Sequence, residues 1–565
     1  MSREIVRVLG SLSSPQCRWL AVWLVVLGVG LFGLLAGVSQ LLTIEVPARG
    51  GAVAEGIVGA PRFINPLLAS SDTDRDLTAI IYSGLMRITS DGTPKPDLAE
   101  SYTVSPDGLT YTFVLKHGLR WHDGEPLIAD DVSFTIEGAQ DPLLKSAKRA
   151  AWDGVKVIKQ DDRTIIFNLK QAYPSFLENA TMGILPKHIW SQVETETFPL
   201  SKFNLESIGS GPYQISGIKK NKLGIPEYYD LTAFSNFALG QPKIKKWRLN
   251  FYPNEAELVA AYRHGDIQSL SAISAESAAA LEAGGARFIK SPLPKIFAVF
   301  LNQNRAPVLA NKEVRQALDL AVDKNVIITT VLHGYGSITR GPLPSIAANT
   351  ATSTSGIESA KNVLTKNGWV WNEVKKQWEK KITKGKTTST IILALSLATS
   401  NTPELEQTAS LIKNDWEKLG AKVDLKIYEV GDLNQNIIRP RQYDALFFGE
   451  ILGRRLDLFP FWHSSQRLDP GLNIALYANT NADKLLEETR ALSNPAKIAA
   501  GNERLQTIIA GDLPAIFIYS PYFLYAIPAA MKNVALVPIT TASDRFATMN
   551  EWYLTTDRVW PLFVK

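Results

Sequence analysis

Between Trp19 and Leu42 the chain carries no charged side chain. At roughly 1.5 Å rise per residue, a helix over this run matches the thickness of a bilayer core, which predicts a membrane-spanning helix over 19–42. Arg3, Arg7 and Arg18 precede it against a single Glu4, so the positive-inside tendency leaves the N-terminus in the cytoplasm and the remainder outside. A cleaved signal peptide is the alternative, ending at the small-residue triplet Ala52-Val53-Ala54, although the run is long for the apolar part of a signal.

Beyond this run the apolar positions fall into short periodic stretches. Leu109, Tyr111, Phe113 and Leu115 alternate with Thr110, Thr112 and Val114, which predicts a strand returning from Ser101–Val104 through the turn Ser105-Pro106-Asp107-Gly108. A second turn at His122 to Pro126 leads to Asp130 or Asp131, either of which can cap a helix beginning at Val132. Val155 and Val157, then Ile165, Phe167 and Leu169, read as further strands. Trp247, Leu249 and Phe251 alternate into Asn254, an N-cap for a helix through Tyr262 that stops at Gly265, and Asp266–Leu270 reads as the next strand. The same strand, helix, strand order recurs at Ile391–Leu397, from Thr402-Pro403 to Gly420, and at Val423, Leu425 and Ile427. Two such units far apart along the chain predict two α/β lobes with a cleft between them.

Composition changes little in this picture. The 565 residues exceed what one core organises, and 45% apolar with 20% charged is ordinary for packed domains. A formal net charge of +5 is small for the length, so no nucleic-acid footprint is indicated; Lys375, Lys376, Lys380, Lys381, Lys384 and Lys386 read as a solvated basic hairpin, flanked by Trp369, Trp371 and Trp378. Cys17 is the only cysteine. It lies before the apolar run, whereas the lipidated cysteine of a lipoprotein follows one, and no disulfide can form in the remainder. Ala347–Ser359, rich in Ser, Thr and Ala, reads as a surface loop.

Several stretches carry a family resemblance. Asp97-Leu98-Ala99-Glu100-Ser101, Pro106-Asp107-Gly108 and Leu119-Arg120-Trp121-His122-Asp123-Gly124-Glu125-Pro126 resemble the signature of extracellular solute-binding proteins of the oligopeptide, dipeptide and nickel class, which serve ABC importers. Ile184-Leu185-Pro186-Lys187-His188 and Gly209-Ser210-Gly211-Pro212-Tyr213 resemble further motifs of that class, the second being its crossover back to the first lobe. Phe297–Asn304 with Val314-Arg315-Gln316-Ala317-Leu318 is similar to the crossing between its lobes, and Val314, Ala317, Leu318 and Ala321 form an apolar stripe expected in the core. The resemblance covers nearly everything after residue 56.

It implies an α/β, two-lobed periplasmic-binding-protein-like fold with an additional inserted lobe, preceded here by one transmembrane helix. The expected boundaries are a cytoplasmic N-terminus 1–18, a transmembrane helix 19–42, a linker 43–56 rich in Pro, Gly and Ala, lobe I over 57–95, 207–296 and 527–565, lobe II over 96–206 and lobe III over 297–526. The implied function is capture of a peptide or other small solute and its delivery to an ABC transporter permease, with no cofactor and no metal. The expected location is the cell membrane, single-pass, with the C-terminal domain extracellular or periplasmic.

Residues placed at the ligand by the resemblance are Ser70, Ser71 and Asp72 on the cleft-lining loop; Asn302 at the hinge, where a backbone-satisfying role is the alternative; and Glu450, Arg454, Asp457 and Trp462 in the segment 443–477. Tyr519 and Tyr522 either pack on the ligand or belong to the core. Peptide-binding relatives carry an amine-pairing aspartate three residues before an acidic residue that is followed by proline. With Asp457 as that acidic residue, Arg454 stands in the aspartate's place and Leu458 in the proline's. A guanidinium repels an ammonium and pairs with carboxylates, so the ligand is expected to be anionic at this end or read without its free amine; the alternative is that Arg454 is solvated or pairs with Glu450 or Asp457. The alternatives are a tethered receptor or scaffold without transport and a hydrolase of cell-envelope peptides, for which the residues give little reason. The six histidines show no metal-ligand spacing, and neither a Gly-x-Ser-x-Gly elbow nor a phosphate loop is present.

Overall fold

The computed structural model describes residues 13–173, 175–344, 356–384, 387–492 and 494–563. Most of the Ala347–Ser359 loop, the N-terminus before residue 13 and Lys386 lie outside them. The charge-free run is helical over Ser14–Leu42. Its unbroken run of described side chains, 21–34, is exposed throughout. Among the described residues no helix is long and apolar enough to cross a membrane.

The expected linker is instead sheet. Ile44–Ala48 pairs antiparallel with the C-terminal strand Thr555–Val559, and Gly50–Val58 pairs in parallel with Ile244–Tyr252 and with Ser269–Ser271. Its small residues misled the pattern, because side chains packed onto the face of a strand leave room for little else there: Val53 is buried, and Gly56 has no room for a methyl beside Leu258 and Ile267. A cut after Ala52-Val53-Ala54 would remove half of this strand.

A twelve-stranded sheet runs through the described residues. One half contains Gly50–Val58, Tyr213–Lys220, Pro226–Ala233, Ile244–Tyr252, Ser269–Ser271 and Arg287–Pro292; the other contains Lys295–Leu301, Gly336–Ile338, Ala394–Ser400, Lys422–Tyr428 and Ala445–Ile451. The long strand Ala515–Ile527 belongs to both, pairing with Arg287–Pro292 near its end and with Lys295–Leu301 near its start. The crossing therefore lies at Pro292 to Pro294 and at Ser520–Tyr522, just before the expected Phe297–Asn304, most of which belongs to the interior strand Lys295–Leu301. Pro292, Pro294 and Pro521 lie where the halves join and offer no ladder donor there. The downstream unit forms as expected, except that Ile391–Leu397 is divided: Thr387–Ile392 completes the hairpin with Gln377–Lys384, and Ala394–Ser400 enters the large sheet.

The early hairpin forms as its alternation predicts. Ala99–Val104 pairs with Thr110–Leu115 in a separate four-stranded sheet with Lys156–Lys159 and Thr164–Asn168. Helix Ala129–Gln140 begins earlier than expected, and Asp131 serves its first turn from inside: the carboxylate accepts the Ile128 N–H at 2.9 Å and the Lys187 N–H at 2.8 Å. The crossover back to the large sheet is packed so closely that a Cβ on Gly209 would sit 1.9 Å from the Ile81 carbonyl oxygen. His122 pins it, accepting the Gly209 N–H at Nδ1 (3.2 Å) while Nε2 lies 3.1 Å from the Gly211 carbonyl. Burial pushes this imidazole down to about 4, so it is neutral.

One buried ionic cluster ties the C-terminal segment to the large sheet. Arg545, on the 3-10 helix Ala542–Glu551, donates from Nε to Glu55 at 2.9 Å and from Nη1 and Nη2 to Asp76 at 2.8 and 2.7 Å, and the Tyr525 hydroxyl donates to Glu55 at 2.8 Å. The three charged side chains are essentially inaccessible to solvent.

Candidate functional site

Two cavities open between the small sheet domain, the large sheet and the loop that follows Ala445–Ile451. The larger, about 1010 Å³, is bounded by Tyr173, Ser175 and Glu178 on one side and by Arg455, Asp457 and Phe459 on the other. The smaller, about 410 Å³, lies beneath helix Asp72–Ile81 and is bounded among others by Arg75, Tyr82, Asp97, Lys148 and Asp544. Both volumes are in the range of ligand sites. Glu178 and Arg454 border both cavities, so the two meet there.

Two consecutive arginines span this region in opposite directions. Arg454 donates from Nη1 to the Pro538 carbonyl (2.9 Å) and from Nη2 to Asp544 (2.9 Å) and the Thr540 hydroxyl (3.2 Å). Arg455 donates from Nη1 to the Ser175 hydroxyl (2.6 Å) and from Nη2 to the Leu492 carbonyl (3.0 Å). The first thus ties the loop to the C-terminal segment and the second ties it to the small domain. Glu178 faces both; its burial raises the carboxyl and the two guanidinium groups oppose the rise.

The smaller cavity is edged by polar groups that the fold leaves unsatisfied. Thr78 Oγ1, Tyr82 Oη, Arg87 Nε and Asp97 Oδ1 are shielded and make no hydrogen bond. Burial pushes the Asp97 carboxyl up to about 7, with Lys116 and Arg87 holding it down. Among the described residues no group of histidine, cysteine and carboxylate side chains is arranged to hold a metal.

Of the residues expected at the ligand, Arg454 and Asp457 border these cavities. Arg454 pairs with Asp544, neither of the two partners weighed for it. Asp457 lies 3.4 Å from Arg490 and accepts the Phe459 N–H. Ser71 caps helix Asp72–Ile81 in a reciprocal box with Asp74, which also accepts the Ser70 N–H, and Asp72 pairs with Arg75 at 2.8 Å. Asn302 serves the backbone, donating to the Arg441 carbonyl and accepting from Asn304 and Arg305. Trp462 is fully buried against Phe300, Tyr477 and Phe517. Tyr519 is equally buried, its hydroxyl donating to Glu404 at 2.7 Å, and Tyr522 is half-buried at the crossing.

Glu450 stands apart. It is buried on the core-facing side of its strand with both carboxyl oxygens unpartnered, and burial drives its carboxyl well above the usual range. The sequence placed Arg455 on the same loop as Arg454 without assigning it to the ligand, and Ser175, Glu178 and Asp544 carried no signal: they are single polar residues in unremarkable segments, brought together only by the fold.

The description of bacterial extracellular solute-binding proteins, family 5, middle segment, matches residues 93–463. The oligopeptide-binding protein AppA of Bacillus subtilis is 27% identical over 504 residues, covering 87% of this chain and 90% of that protein. The dipeptide-binding protein of Escherichia coli is 24% identical over 517 residues, 85% of this chain and 91% of that one. Among solved structures, the same AppA in complex with a nonapeptide superposes with a TM-score of 0.62 at 26% identity, covering 90% of this chain and all of that one. The ABC transporter substrate-binding protein CtaP of Listeria monocytogenes reaches 0.70 at 27% identity, with the same coverage.

Proposed function

Because the chain belongs to the family 5 bacterial extracellular solute-binding proteins, we propose that it captures a peptide-like solute between its lobes and delivers it to an ABC transporter permease. The observation that carries this is the pair of cavities bridged by Arg454 and Arg455 from one loop to two other parts of the fold. Such bridges make the approach of the lobes a two-state event, and a ligand that touches all walls favours the closed state by its differential affinity. The oligopeptide and dipeptide specificities of the named relatives support a peptide as the solute. The site residues we assign are Arg454 and Asp457, joined by Ser175, Glu178, Arg455 and Asp544. Catalysis is no part of this reading.

We further propose that the helix over Ser14–Leu42 tethers the binding domain to the membrane. It carries no charge after Arg18, its described apolar side chains face outward, and the folded sheet begins two residues beyond its end. The ligand-binding portion then lies on the extracellular or periplasmic side.

The test is small-angle scattering of the full chain in detergent with and without peptide, after mass spectrometry of what copurifies. Copurifying peptides and a smaller radius of gyration on rebinding are expected. An unchanged profile at saturating peptide would favour a tethered receptor without transport, and cleavage of the peptide would establish a hydrolase instead.

A further inference from the structure

Arg454 occupies the place where the two cavities meet, and its partner is fixed in advance. The Asp544 carboxylate accepts the Thr540 N–H, the Thr541 N–H and the Thr540 hydroxyl on Oδ2, at 2.7, 2.9 and 2.7 Å, which leaves Oδ1 for the guanidinium. The next residue, Arg545, is locked into the buried cluster with Glu55 and Asp76. The acceptor side therefore belongs to the rigid part of the large sheet, whereas the donor is a long side chain on a loop. Parting the pair requires that Arg454 rotate away, giving up its contacts to the Pro538 carbonyl and the Thr540 hydroxyl as well. Glu178, which borders both cavities, offers the displaced guanidinium another carboxylate.

We propose that the Arg454–Asp544 pair is a gate that sorts ligands by length. This rests on the peptide-binding function argued above and adds to it a residue pair that sets specificity. A short peptide is housed in the larger cavity with the pair intact. A longer one, advancing by about 3.3–3.6 Å per extended residue, reaches the smaller cavity only by displacing Arg454 from Asp544. It must then offset the loss of a partly buried, charge-assisted contact whose side chains are 13% and 18% exposed. The two cavities thus act as one long site for ligands that part the pair and as one short site for those that do not.

The test uses the full chain in detergent and a ladder of peptides of one repeating sequence, dipeptide to decapeptide, with affinities from calorimetry. Wild type is expected to show a step to weaker binding at the length that fills the larger cavity. Arg454→Met and Asp544→Asn are each expected to raise the ratio of long-peptide to short-peptide affinity by about tenfold, equivalent to about 1.4 kcal/mol. Thermal unfolding of both variants reports whether they are folded; should Arg454→Met fail to fold, Asp544→Asn alone carries the comparison. An identical length profile in wild type and a folded variant overturns the gate while leaving peptide binding intact. Absence of binding to every peptide by wild type overturns the functional reading itself, and the gate with it.

Discussion

Replacing Arg545 by methionine removes the guanidinium that pairs with both buried carboxylates, Glu55 and Asp76. Glu55 and Asp76 are fully buried, and burial already raises both carboxyls, with Arg545 as the chief opposing attraction. The guanidinium makes four contacts to them within 2.7–2.9 Å and a fifth, at 2.7 Å, to the Ala542 carbonyl. Breaking a buried ion pair from one side costs about 3–5 kcal/mol, a large share of the roughly 5–15 kcal/mol that holds a domain together. Urea unfolding of the full chain in detergent, followed by tryptophan emission, measures it; Trp247 and Trp552, with ring centres 5.9 Å apart, lie in the same core. The deficit also has a predicted pH dependence. Without the guanidinium both folded-state pKa values rise further, so the native variant binds protons that the unfolded chain does not. Its stability is then greatest below the ordinary carboxylate range of about 4 and falls as pH rises through the elevated values. A loss under about 1 kcal/mol at neutral pH, or a deficit that does not shrink on acidification, would refute the account.

Four further outcomes are expected. The Asp97 carboxyl, pushed up to about 7, contributes stability that is complete below its unfolded range and lost as pH rises through 7, so the melting temperature of Asp97→Asn should overtake that of wild type above this pH; a pH-independent difference would count against it. His122, held neutral with its value near 4, contributes stability present above its ordinary value of about 6.5 and lost as pH falls toward 4, a loss that His122→Asn should not show in acid titration of unfolding. Gly209→Ala places a methyl 1.9 Å from the Ile81 carbonyl oxygen, which should cost at least the ~1–3 kcal/mol of an overpacked core and speed proteolysis at the domain crossover; unchanged cleavage kinetics would contradict the packing. Alkaline extraction of membranes should leave the chain in the pellet, and release into the supernatant would overturn the tether.

Local order was written in the sequence wherever a short stretch supplies its own reason. The alternation of Leu109 to Leu115, the Asn254 cap and Gly265 stop, and the stripe Val314, Ala317, Leu318 and Ala321 each appear as expected, because period, cap and turn depend on neighbours in the chain. The motifs from Asp97 to Pro126 sufficed for the family, and with it the solute-binding function. What sequence could not supply was anything fixed by a partner far away. Residues 43–56 have a linker's composition, and only distant neighbours make them strand; Trp462 and Tyr519 have the look of ligand contacts, and only the closed cores make them interior. The pairing of Arg454 with Asp544 spans 90 residues, and that of Arg545 with Glu55 spans 490. A charge carries no mark of the charge it will meet, so the choice among many possible partners is made by the packing that brings one of them within 3 Å and shields the pair from water.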